Sequence, residues 1–247
     1  MGDMHEERPF HQDLERIRSE IVRLAAMAAE FIPRGTDVLL RRDMAGAQQL
    51  IEDDDDLDVL SIEIEEHCYQ VLALQQPMAS DLRSVVTALR LVSEIERSGD
   101  LMVNVAKAAR RIYDADIDPR LRGLIEQMSE EASRLFGLAI DSYAEGNAGL
   151  AAALDDMDDR LDALHREYIQ AIFESHHHAD LGLQPGVQLA LIGRYYERVG
   201  DHAVNIANRV QYMVTGWMPE HSGAARAVAR RDKVPAGDAE PPPDPGD

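Results

Sequence analysis

ERSGDLMVNVAKAARRI at residues 96–112 and ERVGDHAVNIANRVQYM at residues 197–213 are two versions of one segment. Glu, Arg, Gly, Asp, Val, Asn and Ala recur at matching places, 101 residues apart. Upstream, DDDLDVLSIEIEEH (54–67) resembles DDRLDALHREYIQA (158–171) at an offset of 104. Both pairs keep their order, so the chain reads as a duplicated three-helix unit. The duplication is carried by the second and third helices of each unit, because the first helices share little.

Working outward, apolar residues recur at steps of three and four. The first helix starts near Phe10 and carries Leu14, Ile17, Ile21, Leu24, Ala28 and Phe31. Pro33 and Gly35 interrupt it before the pattern resumes at Val38, which predicts one long kinked helix or two in line. A second helix is expected over 45–75, with a stripe of Leu50, Leu57, Leu60, Ile64, Val71 and Leu74. A third runs from Pro77 to about Tyr113 and carries Leu82, Val85, Val86, Leu89, Val92, Ile95, Val103 and Ala106. DADIDP (114–119) is a connector. Helices follow over 119–145, 148–178 and 185–215, with Gly216 as a C-terminal cap. The fold class is therefore all-α, six helices as two tandem three-helix bundles over 10–114 and 119–216. Residues 219–247, rich in Pro, Gly and Asp without an apolar period, read as a disordered acidic tail.

The formal net charge is −21. Sequence-independent nucleic-acid binding needs a basic face, so this balance argues against it and suits cations and basic protein partners. Cys68 is the only cysteine, which excludes an intrachain disulfide and agrees with a reducing compartment. No apolar run approaches the roughly 18–20 residues of a membrane helix, and no signal peptide is visible. The expectation is a cytoplasmic protein that meets membranes only through partners.

Four acidic pairs share one spacing: Asp54/Asp58, Glu96/Asp100, Asp158/Asp162 and Glu197/Asp201. Residues four apart lie on one helix face, where two like charges cost roughly 0.2–0.5 kcal/mol. A cation reverses that sign, and carboxylate oxygens suit magnesium, manganese or iron. An isolated pair of this kind is ordinarily solvated helix surface. Here Glu96 lies seven residues from both Leu89 and Val103, and Glu197 seven from Ala190 and Val204, so both fall on the apolar stripe. Gly99 and Gly200, next to the Asp of each motif, leave room for a close helix approach or a ligand. Asn104 and Asn205 stand one turn on, and Arg97 and Arg198 offer structural ion pairing as the alternative. The ladder Glu63, Glu65, Glu66 and His67 and the pair Glu174/His177 are weaker candidates.

LALQQPMASDLR (72–83), SEIERSGDLMVNVAK (93–107) and RYYERVGDHAVNIANRV (194–210) resemble the PhoU family over about residues 10–216. The resemblance implies six helices in two units, with multinuclear iron, zinc or other metal held by motifs matching the four pairs above. It further implies a non-enzymatic restraint on phosphate uptake and phosphate-starvation signalling. The expected partners are the phosphate transporter ATPase subunit, a sensor histidine kinase and a second copy in a homodimer. A carboxylate-cluster metalloenzyme and a purely structural bundle are the competing readings.

Overall fold

A computed structural model describes residues 7–178 and 181–217. The tail expected over 219–247 lies outside the described residues. The helices are α1 (Glu7–Arg41), α2 (Met44–Gln75), α3 (Ala79–Arg111), α4 (Pro119–Glu145), α5 (Ala148–Met157), α6 (Asp159–His178) and α7 (Leu183–Thr215). Among the described residues there is no strand.

Helix ends follow local chemistry. Asp43 starts α2 by accepting from Gly46 N–H at 2.9 Å, and Asn147 starts α5 by accepting from Leu150 N–H at 3.0 Å. Such caps satisfy amides that have no partner inside the helix. Asp118 precedes Pro119 at the start of α4 and accepts from Arg120 N–H at 2.7 Å. Gly146 and Gly216 end α4 and α7 with φ of 62° and 74°, the left-handed geometry that glycine adopts without strain.

Of the two points about continuity, the structure decides one and changes the other. Pro33 lies inside α1, which runs unbroken from Glu7 to Arg41, so the first helix is one element. Thr36 back-bonds to Ile32 O at 2.8 Å one turn beyond it. The fifth helix is instead interrupted at Asp158 into α5 and α6. Asp158 N–H still bonds Leu154 O, and Asp162 N–H bonds Asp158 O, each at 3.2 Å. The two segments are thus one rod with a local irregularity, and the count of six rods stands.

α3 and α7 share one of the largest contacts in the molecule, and they run antiparallel. Arg83, early in α3, donates to Met213 O late in α7, and Arg111 at the end of α3 donates to Gln188 early in α7. α1 and α2 cover α3, α4 to α6 cover α7, and α1 meets α4 across the middle. The central position of α3 follows from its small residues. Ala88, Ser98, Gly99, Ala106, Ala108 and Ala109 are all buried, so neighbours approach it on several sides. One apolar core runs through both units. Between them, Thr36 Oγ1 on α1 lies 2.7 Å from both Ser129 Oγ on α4 and Tyr196 Oη on α7.

The expected stripes were too wide at one end. Leu74, Leu82 and Val86 are exposed, by 81%, 41% and 36%. The face that α3 buries in its first turns is narrower, consisting of Val85, Thr87 and Ala88. No described helix is long and apolar enough to cross a membrane.

Candidate carboxylate sites

The four acidic pairs become two quartets. α2 brings Asp54 and Asp58 to Glu96 and Asp100 of α3; the rod α5/α6 brings Asp158 and Asp162 to Glu197 and Asp201 of α7. In the first quartet Asp54 is half-buried, and burial pushes its carboxyl up to about 6, with the charges of Asp100, Asp58 and Glu96 adding and Lys107 opposing. Asp58 is raised by burial and then by Asp100. Glu96 is raised by burial and then by Asp100 and Asp58, with Arg97 opposing. In the second quartet Asp158 is raised to about 6 by burial and then by Asp162, Asp201 and Glu197. Glu197 is raised by burial and Asp201, while Arg194 opposes and pairs with it.

The glycines explain how the rods come so close. A Cβ on Gly200 would stand 2.5 Å from Asp158 Oδ1 and 2.7 Å from Leu161 Cδ2. A Cβ on Gly99 would stand 3.2 Å from Leu57 Cδ1. Each glycine therefore seats the helix that carries the opposing carboxylates. Asp54 Oδ1, Asp158 Oδ1 and Glu197 Oε2 are buried and accept no hydrogen bond among the described residues. Buried acceptors are ordinarily paired, and unpaired charge there is costly. Among the described residues, no three His, Cys, Asp or Glu side chains converge closely enough to chelate an ion as they stand. The donor set nevertheless fits a cation: all-oxygen ligands, mutual repulsion and orphaned oxygens in each quartet.

Three features escaped sequence reasoning. His165, one turn after Asp162, has a buried Nε2 without a partner, and burial and then Arg194 hold its imidazole below the ordinary value. The i, i+3 spacing of Asp162 and His165 was the available signal. Arg194, rather than Arg198, is the ion-pair partner in the second quartet. At the α3–α7 contact, Glu94 Oε2 lies 2.6 Å from His202 Nδ1 and accepts from Asn205 Nδ2 at 3.1 Å. Burial alone would raise Glu94, but the bonds from His202 and Asn205 and the charges of His202 and Arg97 hold it below the usual carboxylate range. Asn205 thus serves this pair, which no pattern within one helix could reveal.

The weaker candidates separate. His67 sits between Asp13 and Glu20 of α1, at 3.7 and 3.3 Å. Glu174 is 2.5 Å from Arg120, and the side chain of His177 lies outside the described residues. Cys68 is buried, and its thiol is pushed up to about 12 by burial and then by Glu20 and Glu65, as for a core residue.

Comparison with known proteins gives concordant results. The PhoU domain pattern matches twice, at residues 21–109 and 125–210. The phosphate-specific transport system accessory protein PhoU homolog 1 of Mycobacterium tuberculosis is 33% identical over 211 residues, covering 85% of this chain and 95% of that protein. The PhoU homolog of Rhizobium meliloti is 29% identical over 220 residues, 89% and 93% of the two chains. The crystal structure of PhoU from Pseudomonas aeruginosa superposes with a TM-score of 0.79 at 27% identity, covering 84% of this chain and all of that one.

Proposed function

The chain belongs to the PhoU family, and on that premise we propose that it regulates phosphate transport as a non-catalytic adaptor. In this reading it acts in the cytoplasm, restraining phosphate uptake and starvation signalling by docking on the transporter ATPase subunit and on the sensor histidine kinase. The names of the relatives, accessory proteins of phosphate-specific transport, support the regulatory role. The observation that carries the adaptor reading is the duplication of the quartets on the two central helices, each with a buried orphaned oxygen.

Asp54, Asp58, Glu96 and Asp100 would hold metal in the first site, and Asp158, Asp162, Glu197 and Asp201 in the second. A bound cation would supply the positive charge that offsets repulsion among four carboxylates. The residues themselves fix the separation of the outer rods from α3 and α7 through Leu57 against Gly99 and Leu161 against Gly200. Each quartet joins the second helix of its unit to the third, so a bound cation would tighten the same pair of helices in both units.

The test uses the full chain purified without a polyhistidine tag. Bound metal is measured by elemental mass spectrometry, and binding to the purified ATPase subunit and kinase by calorimetry, for wild type and for Asp100→Asn with Asp201→Asn. Stoichiometric metal and micromolar binding, both lost in the variant, are the expected results. A wild type that binds neither partner with metal present would sink the adaptor reading, whereas partner binding without metal would remove only the metal from it.

A further inference from the structure

The outward face of α2 is apolar and acidic at once. Val59, Ile62, Tyr69 and Leu74 are exposed by 56%, 55%, 57% and 81%. At about 100° per residue they lie within about 80° of Val59, as do Asp55, Asp56, Glu63 and Glu66. This face is turned away from α3, against which Leu57, Ile64 and Cys68 are buried. α2 carries nine carboxylates and neither Lys nor Arg. Its ion pairs among the described residues run through Asp53 and His67, Arg16 of α1 lies near enough to Glu63 to feel its charge, and Asp55, Asp56, Glu63 and Glu66 are all exposed. A stripe of large apolar side chains with carboxylates along it is costly to leave in water and suits a basic, partly apolar segment.

The chain contains such a segment. Residues 224–234, outside the described residues, read AARAVARRDKV. Four basic residues and one acidic one give this stretch a net charge of +3 within a chain of −21. Arg226, Arg230 and Lys233 recur at i, i+4 and i+7, with Val228 and alanines between them. The chain leaves the described structure at the matching end of the molecule. Gly216 lies against the Arg83 guanidinium, a few residues past the α2–α3 turn that follows Leu74. Six residues lie between Trp217 and Ala224, and the seven steps reach up to about 23 Å. The stretch of α2 from Val59 to Gln75 is about 24 Å long.

We propose that residues 224–234 dock in cis along the outward face of α2, with Val228 on the Val59–Ile62–Tyr69 stripe and Arg226, Arg230 and Lys233 against Asp55, Asp56, Glu63 and Glu66. A basic helix of another protein that used this face would have to displace the segment first. The proposal is independent of the carboxylate quartets.

Lys233 is one of two lysines in the chain, the other being Lys107, so a carbodiimide that joins amines to neighbouring carboxylates reports its position. Equal amounts of unlabelled and ¹⁵N-labelled full chain are mixed, cross-linked and mapped by mass spectrometry. The expected result is Lys233 linked to Asp55, Asp56, Glu63 or Glu66 within single-isotope species. The yield should fall about fivefold or more in 0.5 M NaCl, where screening is strong, and likewise in Ile62→Ser with Tyr69→Ser and in Arg226→Glu with Arg230→Glu. The second pair leaves α2 intact, so a folding defect there is not an explanation. Links scattered over the surface would overturn the proposal. So would α2 links found only in mixed-isotope species, which would make the occupant a second copy, or yields unmoved by both variants.

Discussion

Gly99 and Gly200 hold equivalent places in the two units, yet their surroundings differ enough to predict different outcomes for one substitution. Alanine at 200 meets a carboxylate oxygen at 2.5 Å and a leucine methyl at 2.7 Å. The rod must shift, so Gly200→Ala should cost about 1–3 kcal/mol as overpacking does. Alanine at 99 meets a Leu57 methyl at 3.2 Å. There the helix propensity gained, roughly 1 kcal/mol, offsets a small movement, and Gly99→Ala should leave stability within about 1 kcal/mol of wild type. Thermal unfolding of the two variants checks this, and equal losses would contradict it. The same closeness makes the carboxylates of the quartets poor neighbours without a cation. Asp54 and Asp158 have their pKa raised from 3.8 to about 6. The folded chain binds those protons more tightly than the unfolded chain, so their contribution favours folding below about pH 4 and is lost as pH rises through 6. Asp54→Asn and Asp158→Asn should therefore stabilise metal-free protein at pH 7.5. Solvent reaching half of each group trims the effect to about 1 kcal/mol, a rise in Tm of roughly 2–4 °C. The same variants should show a smaller loss of stability between pH 4 and 6, measured by calorimetry in the presence of chelator. Variants less stable than wild type under those conditions would mean that the carboxylates are structural.

At the scale of helices, Pro33 is the residue that costs α1 most. It is exposed, lacks the N–H that would bond Ala29 O, and sits in a helix that continues for eight more residues. Pro33→Ala restores that bond, and about 1–3 kcal/mol of added stability is expected by chemical unfolding. A loss of stability would show that the backbone geometry Pro33 imposes is needed to seat Gly35 against Met102, where a Cβ would lie 3.0 Å from Cε. Cys68 gives α2 its own reporter. With its thiol buried and pushed up to about 12, it should react with a thiol reagent only when α2 leaves α1 and α3. The labelling rate in native buffer should be at least about a hundredfold below that in denaturant, and fast native labelling would show that α2 opens locally. These elements were legible because amphipathic period, caps and breakers act over a few residues. The DADIDP connector and Gly216 marked ends that the structure keeps, and the four acidic pairs were visible because their spacing is itself helical. Pro33 left two readings open, one long kinked helix or two in line, because the loss of one hydrogen bond competes with packing along more than thirty residues of helix, and the structure keeps one helix. The exposure of Leu74, Leu82 and Val86 was misread because a period shows that a face is apolar and not whether another helix covers it.

The molecule as a whole is set by what joins the two units, and here the sequence was least informative. Glu94 and His202 have no counterparts of their own kind in the other unit, Tyr195 and Leu101 standing at the matching positions. Their 2.6 Å contact belongs to the antiparallel meeting of α3 and α7, which no repeat within the chain could announce. Thr36, Ser129 and Tyr196 likewise join three helices from both units in the buried interior. With a contact between units as large as any within them and one apolar core running through both, neither unit has a reason to unfold alone. The expectation for the full chain is one cooperative transition, with calorimetric and van't Hoff enthalpies in agreement. Tyr196→Phe, which removes one hydroxyl from the junction and leaves Thr36 with its Ile32 and Ser129 neighbours, should cost about 0.5–1.5 kcal/mol. It should lower that single transition rather than split it. His202→Leu is the harsher variant: it leaves Glu94 buried with only Asn205, so a loss of about 3 kcal/mol or more is expected. If two transitions appeared in wild type, or if His202→Leu lowered one of two transitions and spared the other, the units would be independent domains.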